Sequence, residues 1–172
     1  MKEEQIALLD ADRAPLGKVV ARGTPLLDGE HMLVVHVCIF NRRGEMLLQQ
    51  RSASKRSYPG FWDVSAAGGV RAGETGREAA MRETREELGL QIEITHSAYV
   101  TLAFEGGFDD FYLIEADVPS DALTLQTEEV QAVRWATREE TLKLLRDGAF
   151  APYWESFVQL LFDLHSHLGL RE

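Results

Sequence analysis

The stretch GETGREAAMRETREELGL, residues 73–90, sets Glu83, Glu86 and Glu87 within five positions beside Arg82 and closes at Gly89. On a helix, positions i, i+3 and i+4 share one face, so the three carboxylates would converge within about 100° of arc. Each like-charge pair at these spacings costs about 0.2–0.5 kcal/mol, and the cluster lies toward the negative end of the helix dipole. A solvated acidic face is the ordinary reading of such a run. The cost and the convergence point instead to a compensating cation. Hard oxygens on a rigid element suit Mg²⁺, or Mn²⁺ in its place, with remaining ligands drawn from water and substrate phosphates.

A helix carrying this cluster needs ends and an anchor. Thr75 reads as its N-cap, and Gly89 ends it after about Leu88 because glycine accepts the left-handed conformation at that position. Ala80, Thr84 and Leu88 recur at fourfold spacing and are expected to pack on a sheet, leaving the carboxylates facing outward together. Upstream, QIALLD and LGKVVARG flank ADRAP as an N-terminal hairpin within residues 1–30. MLVVHVCIFN and EMLLQQRS meet at RRG and should be central strands. SASKRSYPGFWD has no period and reads as a loop, with VSAAGGV a short extended segment after it.

Beyond the helix, QIEITHSAYVTLAF, FDDFYLIEADV and VQAVRWA read as strands. TREETLKLLRDG and PYWESFVQLLFDLHSHLG have helical spacing, marked by Leu142 and Leu145 and by Phe157, Leu160, Leu161 and Leu164. This order implies an α/β fold with a mixed sheet covered on both faces. With 172 residues and 45% hydrophobic content the chain can bury one core, so residues 1–172 are expected to form a single domain. A formal charge of −10 repels polynucleotides. A lone cysteine, Cys38, forms no internal disulfide, and neither a signal peptide nor an apolar run of about 18 residues is visible, which implies a soluble cytoplasmic protein. The oligomeric state stays open, a homodimer included.

The spacing around the glutamates carries a resemblance. From Gly68 the chain reads five residues, Glu74, seven residues, then Arg82-Glu83-Thr84-Arg85-Glu86-Glu87-Leu88-Gly89-Leu90. Residues 68–90 thus resemble the Nudix box, G-x5-E-x7-R-E-U-x-E-E-x-G-U, with Thr84 in place of the usual bulkier aliphatic. The resemblance implies an α/β/α sandwich and divalent-metal hydrolysis of nucleoside diphosphates linked to a further group X. It makes Glu83, Glu86 and Glu87 metal ligands, adds the Gly68 carbonyl, and gives Glu74 a supporting role. Arg82 would hold Glu83 by a charge-assisted hydrogen bond; the competing reading is a surface ion pair with Glu78 or Glu86. The base that activates water is Glu86 or Glu87, or Glu128 or Glu129 in QTEEV, and the sequence does not choose.

Residues 36–70 and LQTEEVQAVRWATREE are similar to the isopentenyl-diphosphate isomerase-like branch of that superfamily. In the isomerases a cysteine and a metal-binding histidine stand where this chain has Ala67 and Gly69. Alanine transfers no proton, so hydrolysis is expected in place of isomerisation. A non-catalytic ligand sensor is a third reading, opposed by the complete set of box glutamates. By the same resemblance Arg51 and Lys55 grip a diphosphate, against the alternative of a solubilising loop. Tyr58, Phe61 and Trp62 border that loop and either close a core or cover the substrate, with Trp62 the candidate contact. Cys38 and His36 read as structural. His31 stands beside Met32, which takes the place of an isomerase metal histidine, and His96, His165 and His167 have no partner pattern. The expectation is an Mg²⁺-dependent pyrophosphohydrolase acting on a small organic diphosphate.

Overall fold

The computed structural model describes residues 4–166. Strands β1 (Gln5–Leu9) and β2 (Pro15–Ala21) form the N-terminal hairpin, followed by β3 (Met32–Phe40) and β4 (Met46–Arg51). A loop leads to the two-residue strand β5 (Trp62–Asp63), then to β6 (Ala66–Gly69) and helix α1 (Gly76–Leu88). Strands β7 (Val100–Phe104), β8 (Gly107–Glu115) and β9 (Val130–Ala136) precede helices α2 (Arg138–Arg146) and α3 (Glu155–Ser166).

Strand β3 is buried on both faces, and its alternation separates two cores. Val35, Val37 and Ile39 point to Ala79, Ala80 and Leu88 of α1. Cys38 and Phe40 point the other way, to Leu142 of α2 and Phe157, Leu161 and Phe162 of α3. A mixed sheet between helical layers is the expected α/β/α arrangement. Helix α1 begins where the sequence places it: the Thr75 hydroxyl accepts from the Glu78 N–H, and the Glu78 carboxylate accepts from the Thr75 N–H, a full capping box. Gly89 ends it with φ at 67°.

The sheet forks beside β3. Strand β8 runs parallel to it along its whole length, from Met32↔Gly107 to Phe40↔Glu115. On the opposite edge β4 pairs with β3 only at Phe40↔Met46, then turns away to join β5 and β9. Strand β6 takes the vacated edge, from Val37↔Ala66 to Val34↔Gly69. Where the strands part, the Ile39 N–H and the Leu47 carbonyl lose their ladder partners. The buried Ser65 hydroxyl serves both, accepting from Ile39 at 2.8 Å and donating to Leu47 at 2.6 Å.

The N-terminal hairpin is a separate two-stranded sheet, tied down by a bridge between Leu9 and His31 and by Arg13, which donates to both oxygens of Asp110 at 3.0 and 2.7 Å. Two local expectations need correction. Residues 91–99 are not a strand: β7 begins at Val100↔Phe111, and the preceding segment packs Ile92 and Ile94 against the α1 core instead. Leu160 is 42% exposed, because the buried stripe of α3 runs through Phe157, Val158, Leu161 and Phe162. His167 lies outside the described residues. Among the described residues no helix is long and apolar enough to cross a membrane.

Replacing Ser65 by alanine removes a fully buried hydroxyl and leaves two backbone groups unpaired. Ser65→Ala should lower unfolding free energy by about 1–3 kcal/mol, read from urea denaturation. A stability equal to that of the wild type would show that the fork does not depend on this bridge.

Candidate active site

The glutamate cluster does not face outward. Glu83 and Glu87 are only 8% and 5% exposed, because α1 packs on β6 as well as on β3 of the same sheet. The small residues of β6 make that approach feasible. The Glu83 carboxylate fills the space a Cβ on residue 68 would need, so only glycine fits there.

Arg82 organises the cluster. Its Nε and Nη2 donate to the two oxygens of Glu74 at 2.7 and 3.0 Å, and Nη1 donates to Glu83 at 2.6 Å and Glu86 at 3.2 Å. Nη2 also donates to the Gly69 carbonyl at 3.0 Å. The side chain is 7% exposed. Burial alone would weaken its charge, but the bonds from Glu74 and Glu83 outweigh burial and raise its pKa. Arg82 thus holds Glu83 by a charge-assisted hydrogen bond, and its contact with Glu86 is part of the same buried hub, while Glu78 is engaged in the Thr75 cap.

Glu86 is half-buried and is also held by Arg71, whose Nη1 and Nη2 each donate at 3.2 Å. Arg71 reaches back to Glu4 at 2.8 Å, linking the cluster to the N-terminal segment. Glu87 differs from both. Its hydrogen bonds come from neutral donors, the Gln49 side chain and the Ala67 N–H, both at 3.1 Å. Burial, with the nearby Glu83 charge adding to it, pushes its carboxyl up to about 8. Burial likewise raises Glu83, against the pull of Arg82.

Among the described residues, no three His, Cys, Asp or Glu side chains stand converged as a ready metal cage. Glu83 and Glu86 are turned to arginines, while among the described residues Glu87 has no cationic ion-pair partner. A buried carboxylate lacking a counter-charge, beside two further carboxylates, is a donor set that fits a hard divalent cation.

A cavity of about 330 Å³ opens beside Ala67 and Gly68, in the space left by the fork. Arg51 lines it, its Nε and Nη2 donating to the Ser57 carbonyl at 3.0 and 2.9 Å. Lys55 lines it too and is paired with Glu129, whereas Glu128 is exposed. Trp62 is not on the cavity wall. Successive residues of β5 point to opposite faces, so Asp63 enters the cavity and Trp62 packs on the α3 core with the Arg134 guanidinium 4.7 Å above its ring. Tyr58, half exposed with φ at 50°, is the loop aromatic that reaches the cavity.

The cavity wall also carries His36, which the sequence reads as structural, and Asp63, Asp109, Tyr153 and Arg22, which it does not single out. His36 Nε2 meets Asp109 Oδ1 at 3.0 Å and its Nδ1 meets the Tyr153 hydroxyl at 3.2 Å; that hydroxyl donates to Asp63 Oδ1 at 3.1 Å. Strand alternation did hold a signal, since His36 and Asp109 both fall on the Phe111 face, but the β3 and β8 partnership was needed to use it. Cys38 is fully buried, as expected, and burial raises its thiol pKa far out of the reactive range. His31 stacks on Phe108 and His165 on Phe40, while His96 bonds the Ser97 carbonyl.

A model of the NUDIX domain matches residues 30–156. The chain belongs to the Nudix family. It is 46% identical to an uncharacterized Nudix hydrolase of Listeria innocua, over 94% of this chain and 95% of that one. At 30% identity and 89% of each chain it is also similar to an isopentenyl-diphosphate Delta-isomerase of Salmonella heidelberg. The crystal structure of DR0079 from Deinococcus radiodurans superposes with a TM-score of 0.75 at 26% identity, over 92% of this chain and 97% of that one. The chain is thus a Nudix pyrophosphohydrolase by family, and such hydrolases generally use divalent metal ions.

The uncompensated Glu87 has a consequence for metal-free stability. Its pKa in the folded protein, about 8, lies above the ordinary 4.5, so the folded state is favoured at low pH and loses stability as pH rises through this window. Glu87→Gln does not titrate and keeps the Gln49 and Ala67 hydrogen bonds. In chelator the variant should match the wild type near pH 4.5 and melt increasingly higher up to about pH 8, by about 2–4 °C per kcal/mol recovered. Thermal melts across that range check this; a variant that melts lower at high pH would refute it.

Proposed function

We propose that this protein hydrolyses a pyrophosphate bond in a nucleoside diphosphate derivative or other small organic diphosphate, with Mg²⁺ or Mn²⁺ as cofactor. The observation that supports this most is the Arg82-held carboxylate set standing beside a cavity walled by Arg51 and Lys55. A divalent cation held by Glu83, Glu86, Glu87 and the Gly68 carbonyl would draw charge off the phosphoryl oxygens and acidify a water.

The remaining work falls to the protein. Arg82, braced by Glu74, keeps Glu83 oriented, so little reorganisation is needed when substrate enters. Arg51 offers a planar fork and Lys55 a flexible point charge to the diphosphate. To bind phosphate, Lys55 exchanges its contact with Glu129, and the carboxylate so released becomes available to take a proton from water. Glu129 fits this role better than the exposed Glu128, since its charge already acts on Glu87. Ala67 and Gly68 join the two parts, since both line the cavity while the Ala67 N–H donates to Glu87 and Gly68 lies against Glu83.

Isomerisation is the rival reading, raised by the isomerase relative. Ala67 offers only its backbone N–H, to Glu87, and has no group that transfers a proton. Gly69 lies under Arg22, whose guanidinium is 3.6 Å from the place of a Cβ. Cys38 is sealed in the core and does not substitute.

With a panel of organic diphosphates and Mg²⁺, Glu86→Gln should reduce kcat by about 100-fold or more. Glu129→Gln should reduce it by a comparable factor, while Glu128→Gln should stay near wild type; the reverse ranking would remove Glu129 as base. Isopentenyl diphosphate should yield no dimethylallyl diphosphate, with or without Ala67→Cys, because Gly69 still lacks an imidazole. Product analysis by NMR checks this, and turnover to dimethylallyl diphosphate at about 1 s⁻¹ would overturn the hydrolase reading.

A further inference from the structure

We propose that the cavity beside the glutamates receives the group carried on the diphosphate, and that Asp63, Tyr153 and Asp109, joined through His36, select a compact hydroxyl-rich group of the sugar or polyol class. The placement of the diphosphate rests on the pyrophosphohydrolase reading. The selectivity rests on the cavity floor.

Four side chains from four segments form one polar chain there, Asp109 to His36 to Tyr153 to Asp63, with contacts of 3.0, 3.2 and 3.1 Å. Packing holds them. The His36 ring lies 4.5 Å from Phe111 at 11°, and the Tyr153 ring is wedged among Phe111, Phe150 and Phe157. Each contact leaves something for a ligand. Asp109 uses one oxygen on His36, and its side chain remains 24% exposed toward the cavity. Asp63 Oδ1 accepts from Tyr153 and from the Val64 N–H, while Oδ2 has only a 3.5 Å contact with Arg51. Burial and the Asp63 charge raise the Tyr153 pKa well above its ordinary value, so the phenol keeps the proton it donates to Asp63.

Fixed carboxylate acceptors beside a hydroxyl match groups that both donate and accept within a small volume, as vicinal hydroxyls do. A prenyl chain would cover these groups without pairing them, which lowers affinity for each one left unsatisfied. A nucleobase would bind by stacking, and of the loop aromatics only the half-exposed Tyr58 reaches the cavity, with Trp62 packed on the α3 core. A volume of about 330 Å³ is at the small end for ligand sites and suits one polar ring.

The test uses the full chain and four probes: ribose 5-diphosphate, its 2-deoxy and 3-deoxy analogues, and isopentenyl diphosphate. Binding is measured by calorimetry with Ca²⁺, and cleavage with Mg²⁺ and with Mn²⁺. The wild type should bind ribose 5-diphosphate at least about 10-fold more tightly than isopentenyl diphosphate and than one deoxy analogue. Tyr153→Phe, which keeps the packed ring, and Asp109→Asn should each shrink those ratios to within about 3-fold. Two variants at separate positions guard against one failing to fold, with melting curves as the check. Equal binding of all probes, tighter binding of the prenyl compound, or ratios unchanged in both folded variants would overturn the proposal. Selective binding without cleavage would leave the subsite standing and remove the hydrolase reading. Cleavage without selectivity would do the opposite.

Discussion

The contact on which the site depends is the buried Arg82 guanidinium. It ties the loop before α1 through Glu74, the helix through Glu83 and Glu86, and the sheet through the Gly69 carbonyl. Three carboxylates crowded against a protein interior repel one another and lose hydration; one planar cation with fixed donors offsets much of that cost and sets their directions. Removing one member of such a buried network typically costs about 3–5 kcal/mol, because the partners stay buried without compensation. The spacing of the motif has a physical basis here: Arg82 faces Glu74 across the start of the helix, and Gly68 leaves room for Glu83.

Much of this was legible from residue order. The caps of α1, the N-terminal hairpin, strands β3 and β4 with the turn between them, the loop before β5 and the two C-terminal helices follow local rules that need no tertiary knowledge, and they appear as expected. The direction of the carboxylates was not legible in that way. Helical periodicity assigns one buried face, but β6, paired beside β3, widens the surface on which α1 packs, and it is a strand of alanine and glycine with almost no hydrophobic signature. The run AAGG was itself the clue, since small residues in a strand mark close approach.

Trp62 and His36 show the same limit from opposite directions. An aromatic next to a basic loop invites a binding role, yet the two-residue period of β5 turns Trp62 inward and leaves Asp63 for the cavity. A histidine in an apolar strand reads as structural, yet β8 brings Asp109 to it, and the connection before α3 brings Tyr153. Both outcomes depend on which strands become neighbours. Adjacency between β3 and β8 spans 75 positions, as in Met32↔Gly107, and no local pattern encodes it.

The fork in the sheet also bears on how the chain reaches this shape. A hairpin usually zips from its turn, gaining contacts between near neighbours in the sequence. Strands β3 and β4 share one register pair before they separate, so that early gain is largely missing. The stabilising neighbour of β3 is instead the distant β8, whose docking requires a long loop to close first. Pairing of this region thus depends on a remote encounter, the kind of long-range contact that topology associates with slower folding. The space between the diverging strands has no local precursor: it comes into being only when the far half of the chain arrives.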